Sequence, residues 1–476
     1  MLKYNFIYEL KMLLRSRWLQ ILSIVLVLLF GFSAFNGKQK IEQRELVATA
    51  AVEEVKESDI AMGHLLDSVS QGLAVSVPRW TIPSSPMAVG NYYPRVAVMQ
   101  AKDFAFVATG QSDMYTSNVK PKVSGDDFAL NFTEMTSPVQ LLFGSFDLSF
   151  VIVYLLPLLI IAFSYNILSS EKESGSMRLL VAQPISIRKW MLQKLALRFF
   201  WLAILVISAF LAVFLILGID LSNSLNAFFA LTGLTLVYML FWFVVAFLVN
   251  LSAGSSARNA VSMLGLWVIL VLLVPSALNQ IGNTFYPIPS RSLMINEMRT
   301  KKTEVTKKQD EILDNFLRDH PEYAINDTTQ ARSFYHRYMA SQKLIREELQ
   351  PIVGAFEEQL GNQQQLVGQF KWISPALTIQ ESLNRLAGTS TADYESYRQQ
   401  VVAFAGQWRD HLTPMLYNNQ DFTTADIASL PVFQYQQLDA NLGRSMLVLV
   451  LISLGLLGIG WGISINQEKR SGLISA

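Results

Sequence analysis

The residues best suited to contacting a partner lie in one short polar segment, Glu171–Trp190. Gly175 can adopt a positive φ and end the preceding helix, and Ser176 can cap a new one. The new helix, Met177–Ala182, must end before Pro184, which lacks a backbone N–H. A short amphipathic helix flanked by charges fits a groove on another protein. The alternative is an interfacial turn anchored by basic residues.

The remaining sequence lacks the residue patterns of common catalytic and nucleotide sites. Gly37-Lys38 is followed by Gln39, without the upstream Gly and the Ser or Thr of a phosphate-binding loop. The histidines are not spaced as metal ligands, and no Gly-x-Ser-x-Gly turn is present; they are His64, His320, His336 and His411. With no cysteine, thiol chemistry and cysteine-ligated metals are excluded. We expect no enzymatic activity, cofactor or metal in this chain.

Composition indicates a membrane protein. Hydrophobic residues make up 51% and charged residues 16%, where about 25% charged is usual in soluble domains. The apolar residues cluster in charge-free segments of about 20 residues, the length that crosses a bilayer as a helix. With a net charge of +1, nucleic acid is not an expected partner.

We therefore predict an α-helical integral membrane protein with six transmembrane helices, two large exoplasmic domains and membrane lipid around the spans. The predicted segments are an interfacial helix (1–17), spans (18–37, 148–169, 196–219, 225–249, 259–282, 444–466), a cytoplasmic loop (170–195), exoplasmic domains (38–147, 283–443) and a tail (467–476). The first span could instead be a cleaved signal peptide. The amphipathic stretch Leu2–Leu14 before it favours the interfacial helix.

Charge asymmetry predicts the orientation. One side of the predicted spans has thirteen Lys and Arg residues against four Asp and Glu residues, while the other side is net acidic. Short basic loops stay in the cytoplasm. Both termini and residues 170–195 are thus predicted to be cytoplasmic, in a bacterial inner membrane.

The second exoplasmic domain has helical periodicity over 293–317, 331–360 and 394–416, with Pro351 as a predicted break or kink. Two interpretations remain open. The domain could be an antiparallel helical bundle, or it could be a lever that carries motion from the membrane to an exterior partner. In the first domain, residues 38–67 are predicted to continue the first span as a helix, followed by loops and a few short elements.

Small residues and prolines mark features inside the spans. Gly458 and Gly462 form a GxxxG pair that permits close helix contact. Pro157 and Pro275 are predicted to kink the second and fifth spans.

The loop after the second span resembles that of the ABC-2 family of permeases. The motif is Glu-x-Glu-x-Gly-Ser-hydrophobic, followed by Pro-Ile-Ser and a basic residue, and an interfacial helix before the first span also fits. The resemblance implies that this loop is a coupling helix that docks on a separate ATPase subunit. The residues so assigned are Glu171, Glu173, Gly175, Ser176, Met177, Arg178 and Pro184.

The second exoplasmic domain resembles that of a subgroup of these permeases with a large domain of unknown function between the last two spans. The motifs are Asp319-His-Pro-Glu-Tyr323, Ser374-Pro-Ala-Leu377, Leu383-Asn-Arg-Leu-Ala-Gly-Thr389 and Trp408-Arg-Asp. Typical family members have short exterior loops, so both large domains depart from the pattern.

The resemblance implies a permease subunit that dimerises with a second copy or a related permease. ATP-binding cassette ATPase subunits would bind ATP and Mg²⁺, which this chain does not. The complex would export a substrate or transmit force to a periplasmic or outer-membrane partner. The alternative is a membrane-anchored periplasmic binding or scaffold protein without transport activity.

Overall fold

The computed structural model describes residues 2–110, 112, 116–124, 146–177, 186–219, 221–252, 254–287, 291–307, 318 and 334–474. Within these residues, six helices are long and apolar enough to cross a membrane, the number that the sequence predicts. Only one pair of two-residue strands is present in the described part, Ala97–Val98 (β1) with Asn118–Val119 (β2), antiparallel. The prediction of an α-helical membrane protein is confirmed at this level.

Twelve helices of the described residues are numbered in chain order. They are α1 (Leu2–Arg15), α2 (Arg17–Ser70), α3 (Pro86–Tyr92), α4 (Leu148–Glu173), α5 (Ile187–Ile216), α6 (Leu221–Ser252), α7 (Ser256–Phe285), α8 (Arg291–Lys307), α9 (Phe334–Phe370), α10 (Pro375–Ala387), α11 (Thr391–Tyr417) and α12 (Gly443–Ile474). The six candidate spans lie in α2, α4, α5, α6, α7 and α12. One end of this bundle, the loop side, has the α4–α5 loop; the other, the domain side, has the two large domains.

The first span and the helix that follows it are one uninterrupted helix. α2 has 54 residues, which corresponds to about 80 Å at 1.5 Å per residue. Its predicted extension beyond the membrane over residues 38–67 is observed and continues to Ser70. Gly37 lies where the span becomes the extension, against the Phe106 carbonyl, and a side chain there would clash with that backbone.

Two helices form the centre of the bundle. In the apolar window of α6, 78% of residues are buried, and in α4 67% are buried, whereas the figure for α7 and α12 is 17%. The peripheral helices expose apolar side chains such as Leu273 and Leu451. Lipid or another protein chain must cover these surfaces, because water would not solvate them favourably.

Both predicted proline positions are preceded by π-helical turns, Val151–Leu155 in α4 and Val268–Leu273 in α7. A proline has no N–H, so a carbonyl one turn earlier loses its helical partner. In α4 the Val153 carbonyl, four residues before Pro157, accepts a hydrogen bond from the Tyr238 hydroxyl of α6 at 2.9 Å. This hydrogen bond joins the π turn of α4 to α6.

In the π turn of α7, the Leu270 carbonyl also accepts a hydrogen bond from another element. The π turn uses i→i−5 hydrogen bonds, since Val274 N–H donates to Ile269 O, and the next donor in that register would be Pro275. The Ser374 hydroxyl donates to the Leu270 carbonyl instead, at 2.6 Å. Ser374 is also the N-cap of α10 and accepts from Leu377 N–H.

Two segments of the large domains close the domain side of the bundle. One is residues 104–109, an apolar run that is almost fully buried. The other is α10, which contributes Ile379 and Leu383 to the same core as the spans. These two segments, called the outer cap below, were not expected to contact the membrane helices. The periodicity of one helix in the sequence shows that the helix has an apolar face. It does not show whether that face packs on other helices of the same domain or on the spans.

A buried carboxylate joins the outer cap to α4. Asp147 caps the start of α4 and accepts hydrogen bonds from Ser149 Oγ at 2.7 Å and Phe150 N at 3.0 Å. It also accepts from Thr109 N at 2.9 Å and Thr109 Oγ1 at 3.0 Å. Burial raises the pKa of the Asp147 carboxyl, although the four donors act in the opposite direction.

Several sequence predictions need correction. The helix predicted over 331–360 runs from Phe334 to Phe370 and passes through Pro351 without ending there. The helix predicted over 394–416 is confirmed as α11, whereas α10 was not predicted as a helix. Residues 308–317 of the predicted helix 293–317 lie outside the described residues.

The predicted glycine contact is also displaced. A Cβ at Gly458 or Gly462 would meet no atom within 4 Å, whereas at Gly460 it would lie 2.8 Å from Leu248 Cδ2. The close approach between α12 and α6 is therefore at Gly460, which lies on a different face of α12 from the predicted pair.

Tyr238→Phe should lower the stability of the bundle by about 1 kcal/mol, because the buried Val153 carbonyl would lose its donor. We expect the midpoint of thermal unfolding in detergent to fall by about 1–2 °C. The matched control is Tyr92→Phe, the same chemical change at a tyrosine that is 53% exposed. Equal midpoints for the two variants would contradict this account of the α4 turn.

Candidate coupling site at the loop side

Glu171 binds the loop after α4 to α5. Its Oε1 accepts from Lys194 Nζ at 2.9 Å, and its other carboxylate oxygen accepts a short hydrogen bond from the Ser176 hydroxyl. Gly175 has a φ of 76°, which lets the chain turn back so that Ser176 reaches Glu171. One carboxylate therefore fixes both the shape of the turn and its position beside α5.

Glu173 binds the same loop to the start of α7. Its Oε1 accepts from Ser256 N at 2.7 Å, and its Oε2 accepts from Ser256 Oγ at 2.8 Å. A carboxylate at this position satisfies an N–H that has no partner within the helix, and it interacts favourably with the positive end of the helix dipole. The two acidic residues at the end of α4 thus bind two different helices.

Two buried asparagine amides, those of Asn250 and Asn259, fix the part of α4 that precedes the two carboxylates. Asn250 of α6 donates to the Ser164 carbonyl at 2.9 Å and accepts from Leu168 N at 3.3 Å. Asn259 of α7 donates to the Tyr165 carbonyl at 2.9 Å, and Ser169 Oγ lies 2.8 Å from Ser256 Oγ. Through these bonds the last turns of α4 are fixed to both α6 and α7.

A second set of charges joins α1 to α5. Glu9 of α1 is buried and accepts from Arg198 at 3.2 Å, and it lies 3.4 Å from Lys194 Nζ. Arg198 also donates to the Phe163 carbonyl of α4, and Lys194 lies 4.3 Å from the centre of the Trp190 ring. Because Lys194 contacts both Glu9 and Glu171, it connects α1 to the loop.

The structure brings together most of the residues assigned from the resemblance. Glu171, Glu173, Gly175 and Ser176 form the turn described above, and Met177 is half-buried against the membrane core. Arg178, Pro184 and most of the predicted helix Met177–Ala182 lie outside the described residues. The helix that enters the third span begins at Ile187, directly after the predicted N-cap residue Ser186, so Lys194 lies within a helix.

Six residues of the site were not singled out from the sequence. They are Glu9, Lys194, Arg198, Asn250, Ser256 and Asn259. Arg198 was counted among the cytoplasmic charges, yet its side chain is buried. The amides Asn250 and Asn259 offered a signal, because buried polar residues in apolar helices require hydrogen-bonding partners.

The site consists of carboxylates paired with hydrogen-bond donors on neighbouring helices. The turn 171–177 contacts α5 through Glu171 and α7 through Glu173, and α1 joins through Lys194. Within the described residues, no group of three His, Asp or Glu side chains could hold a metal ion. A displacement of this turn would act directly on α5 and α7, and on α1 only through Lys194.

Comparisons with known proteins concern mainly the domain side. Residues 291–436 match a family described as a domain of unknown function, DUF3526. No curated protein matches the chain. The matched segment includes α10 and α11, so the helix of the outer cap belongs to it. The match covers less than half of the chain and does not include the loop-side site.

Glu173→Ala should loosen the start of α7, because Ser256 N–H would lose its acceptor. We expect hydrogen exchange in peptides covering residues 254–259 to become severalfold faster, since a helix N-terminus without a cap opens more often. Glu171→Ala is the matched control, two residues away but bound to Lys194. It should leave exchange at 254–259 unchanged, and equal effects of the two variants would contradict separate anchoring.

Glu9→Gln should destabilise the protein by about 3 kcal/mol, because the buried Arg198 guanidinium would lose its charge partner. The double variant Glu9→Gln, Arg198→Met should recover most of this loss, since an apolar pair often replaces a buried ion pair without cost. A double-mutant cycle on thermal unfolding midpoints measures the coupling. Additive effects of the two single variants would argue against a direct interaction.

Proposed function

We propose that this chain is the membrane subunit of an ATP-driven ABC transporter complex, bound at its loop side by separate ATP-binding cassette subunits. The observation that carries the proposal is the turn 171–177. Its two carboxylates bind α5 and α7, so a movement of the turn must displace both helices. This is the property that a coupling element requires.

Charge distribution supports a cytoplasmic location for the loop side. Basic residues around the turn include Lys172, Lys189 and Arg258, while the large domains are net acidic. By the positive-inside rule, the basic side faces the cytoplasm, where ATP is available. In this orientation both termini are cytoplasmic and the large domains are exoplasmic, in a bacterial inner membrane.

The peripheral spans support association with a second membrane subunit. α7 and α12 leave most of their apolar surface uncovered in the single chain. A second copy of this chain or a related permease would cover part of that surface, and lipid would cover the rest. ATP and Mg²⁺ would be bound by the ATPase subunits.

Two outputs are consistent with this assembly, export of a substrate and transmission of force to a partner outside the membrane. The unbroken α2 favours force transmission, because a tilt of its span moves the far end of the same rigid helix. The outer cap also favours it, since residues 104–109 and α10 fill the domain side between the spans. A dimer interface that is sealed in both nucleotide states would support this choice, and a continuous cavity would support export.

The experiment is co-purification with an ATP-binding cassette ATPase encoded near this chain. Glu173→Ala and Met177→Ala should each reduce the amount of bound ATPase or its ATP hydrolysis severalfold, because the turn would no longer be held against α7 or would lose a contact side chain. The matched control is Glu297→Ala, an exposed acidic residue of α8 on the domain side.

Unchanged association and hydrolysis in both loop variants would refute the coupling role and favour a membrane-anchored binding or scaffold protein. Hydrolysis of ATP by the purified chain without a partner would refute it as well. A reduction that also occurred in Glu297→Ala would indicate general misfolding of the variants.

A further inference from the structure

The helix α1 has a face of mixed apolar and basic side chains on the side opposite to its contact with α5. Ile7, Lys11 and Leu14 are four and three residues apart, so they share one face of the helix. Ile7 and Leu14 are 40% and 49% exposed, and Lys11 is exposed as well. Glu9 and Leu13 are buried on the other side of the helix. α1 therefore has one face toward the protein and one face away from it.

The outward face of α1 lies directly beside the start of a span. One residue, Ser16, separates α1 from α2, and its backbone is extended. Gln20 Nε2 donates to the Leu14 carbonyl across this joint at 2.5 Å. Trp18 and Ile21, in the first turns of the span, are 65% and 54% exposed. Because tryptophan is enriched at the boundary between the apolar interior of a membrane and water, the joint lies at the depth of the lipid headgroups.

Charge indicates which lipid this face attracts. Lys11, Arg15 and Arg17 are exposed, and Glu9 is the only acidic residue of segment 1–41. The Glu9 carboxylate is buried in ion pairs with α5, so it does not neutralise the exposed cations. Basic side chains beside a span attract anionic headgroups, and each contributes about fivefold to binding. A protein partner would fit this face less well, because lysine is depleted in the cores of protein–protein interfaces.

The protein-facing side of α1 contacts the loop-side site. Glu9 lies 3.4 Å from Lys194 Nζ, and the same Nζ lies 2.9 Å from Glu171 Oε1. If α1 moved away from α5, Lys194 would lose one of the two carboxylates that hold it, and Glu171 would be paired with a less fixed side chain. A contact that holds α1 in place therefore acts on the turn 171–177 through two consecutive ion pairs.

We propose that the outward face of α1 (Ile7, Lys11, Leu14 and Arg15) binds anionic phospholipids of the loop-side leaflet and thereby keeps the turn 171–177 ordered. The headgroup phosphates pair with the two basic side chains, and the two apolar side chains enter the boundary of the acyl chains. As regulation of ATPase coupling, this rests on the proposed function. The lipid contact itself does not, and its test contains no ATPase, so the two proposals can fail separately.

The experiment compares the full chain in nanodiscs of phosphatidylcholine with the full chain in nanodiscs of equal parts phosphatidylcholine and phosphatidylglycerol. Hydrogen exchange is measured on peptides covering residues 2–15 and 170–177. We expect exchange in both peptides to be severalfold slower with phosphatidylglycerol, because bound headgroups hold α1 and α1 holds Lys194. High salt should weaken this effect, since exposed charges are screened. Glycerol phosphate added to phosphatidylcholine nanodiscs should not reproduce it, because the molecule has no acyl chain.

Charge variants test the chemistry of the contact. The double variant Lys11→Glu, Arg15→Glu should remove the effect of phosphatidylglycerol on both peptides. The double variant Lys11→Arg, Arg15→Lys should retain it, because both charges are kept. The matched control is Arg79→Glu, Lys122→Glu, the same change of charge at two exposed cations on the domain side. This control should respond to phosphatidylglycerol as the unmodified chain does.

Glu171→Ala tests the connection between α1 and the turn. In this variant, phosphatidylglycerol should still slow exchange in residues 2–15, because the outward face of α1 is unchanged. It should no longer slow exchange in residues 170–177, because the ion pair between Lys194 and the turn is missing. The lipid contact and its effect on the turn are thus measured separately in one sample.

Several outcomes would overturn the proposal. Equal exchange of the unmodified chain in the two kinds of nanodisc would refute the lipid contact. So would an effect that persists in Lys11→Glu, Arg15→Glu or one that glycerol phosphate reproduces. An effect on residues 170–177 that persists in Glu171→Ala would refute the connection to the turn. Equal thermal unfolding midpoints in phosphatidylcholine nanodiscs establish that the variants are folded, and the comparison of the two lipids in the unmodified chain requires no variant.

Discussion

The contacts of Glu171 and Glu173 determine how the loop side of this protein can move. The two carboxylates are two residues apart on one short helical turn, yet one binds α5 and the other binds the first residue of α7. Neither helix can shift relative to α4 unless one of these bonds breaks. Lys194 extends the constraint to α1 because it contacts Glu9 as well as Glu171. The Asn250 amide also joins α4 to α6, and the Asn259 amide gives α4 a second bond to α7.

The domain side of α4 is fixed by the same physical principle. Asp147 caps that end and accepts from the backbone and side chain of Thr109, so α4 is held by carboxylates at both ends. Between them, the Val153 carbonyl in the π turn before Pro157 accepts a hydrogen bond from the Tyr238 hydroxyl of α6. Polar groups in apolar surroundings are stable only when partnered. Within α4, Glu171 and Glu173 accordingly each contact one neighbouring helix.

Several direct contacts connect the spans to the large domains. α2 extends from its span to Ser70 without a break, and Gly37 lets residues 104–109 pack directly on it. Ser374 joins the start of α10 to the π turn of α7, and Gln380 donates to Ser149 of α4 at 3.0 Å. Movement of the spans would thus be transmitted to the domains through backbone and hydrogen bonds.

The sequence alone determined the number of spans, the helical extension of the first one, the helix over 394–416 and the turn at Gly175. These features follow from local hydropathy, periodicity and glycine conformation. It could not identify the partners of Glu171 and Glu173, the burial of Glu9 with Arg198, or the packing of α10 on the spans. Each of these joins residues far apart in the chain, such as Gln380 and Ser149. It also placed the close helix contact at Gly458 and Gly462, whereas packing selected Gly460. Which face of a helix meets which neighbour depends on three-dimensional packing, and only the tertiary structure decided it.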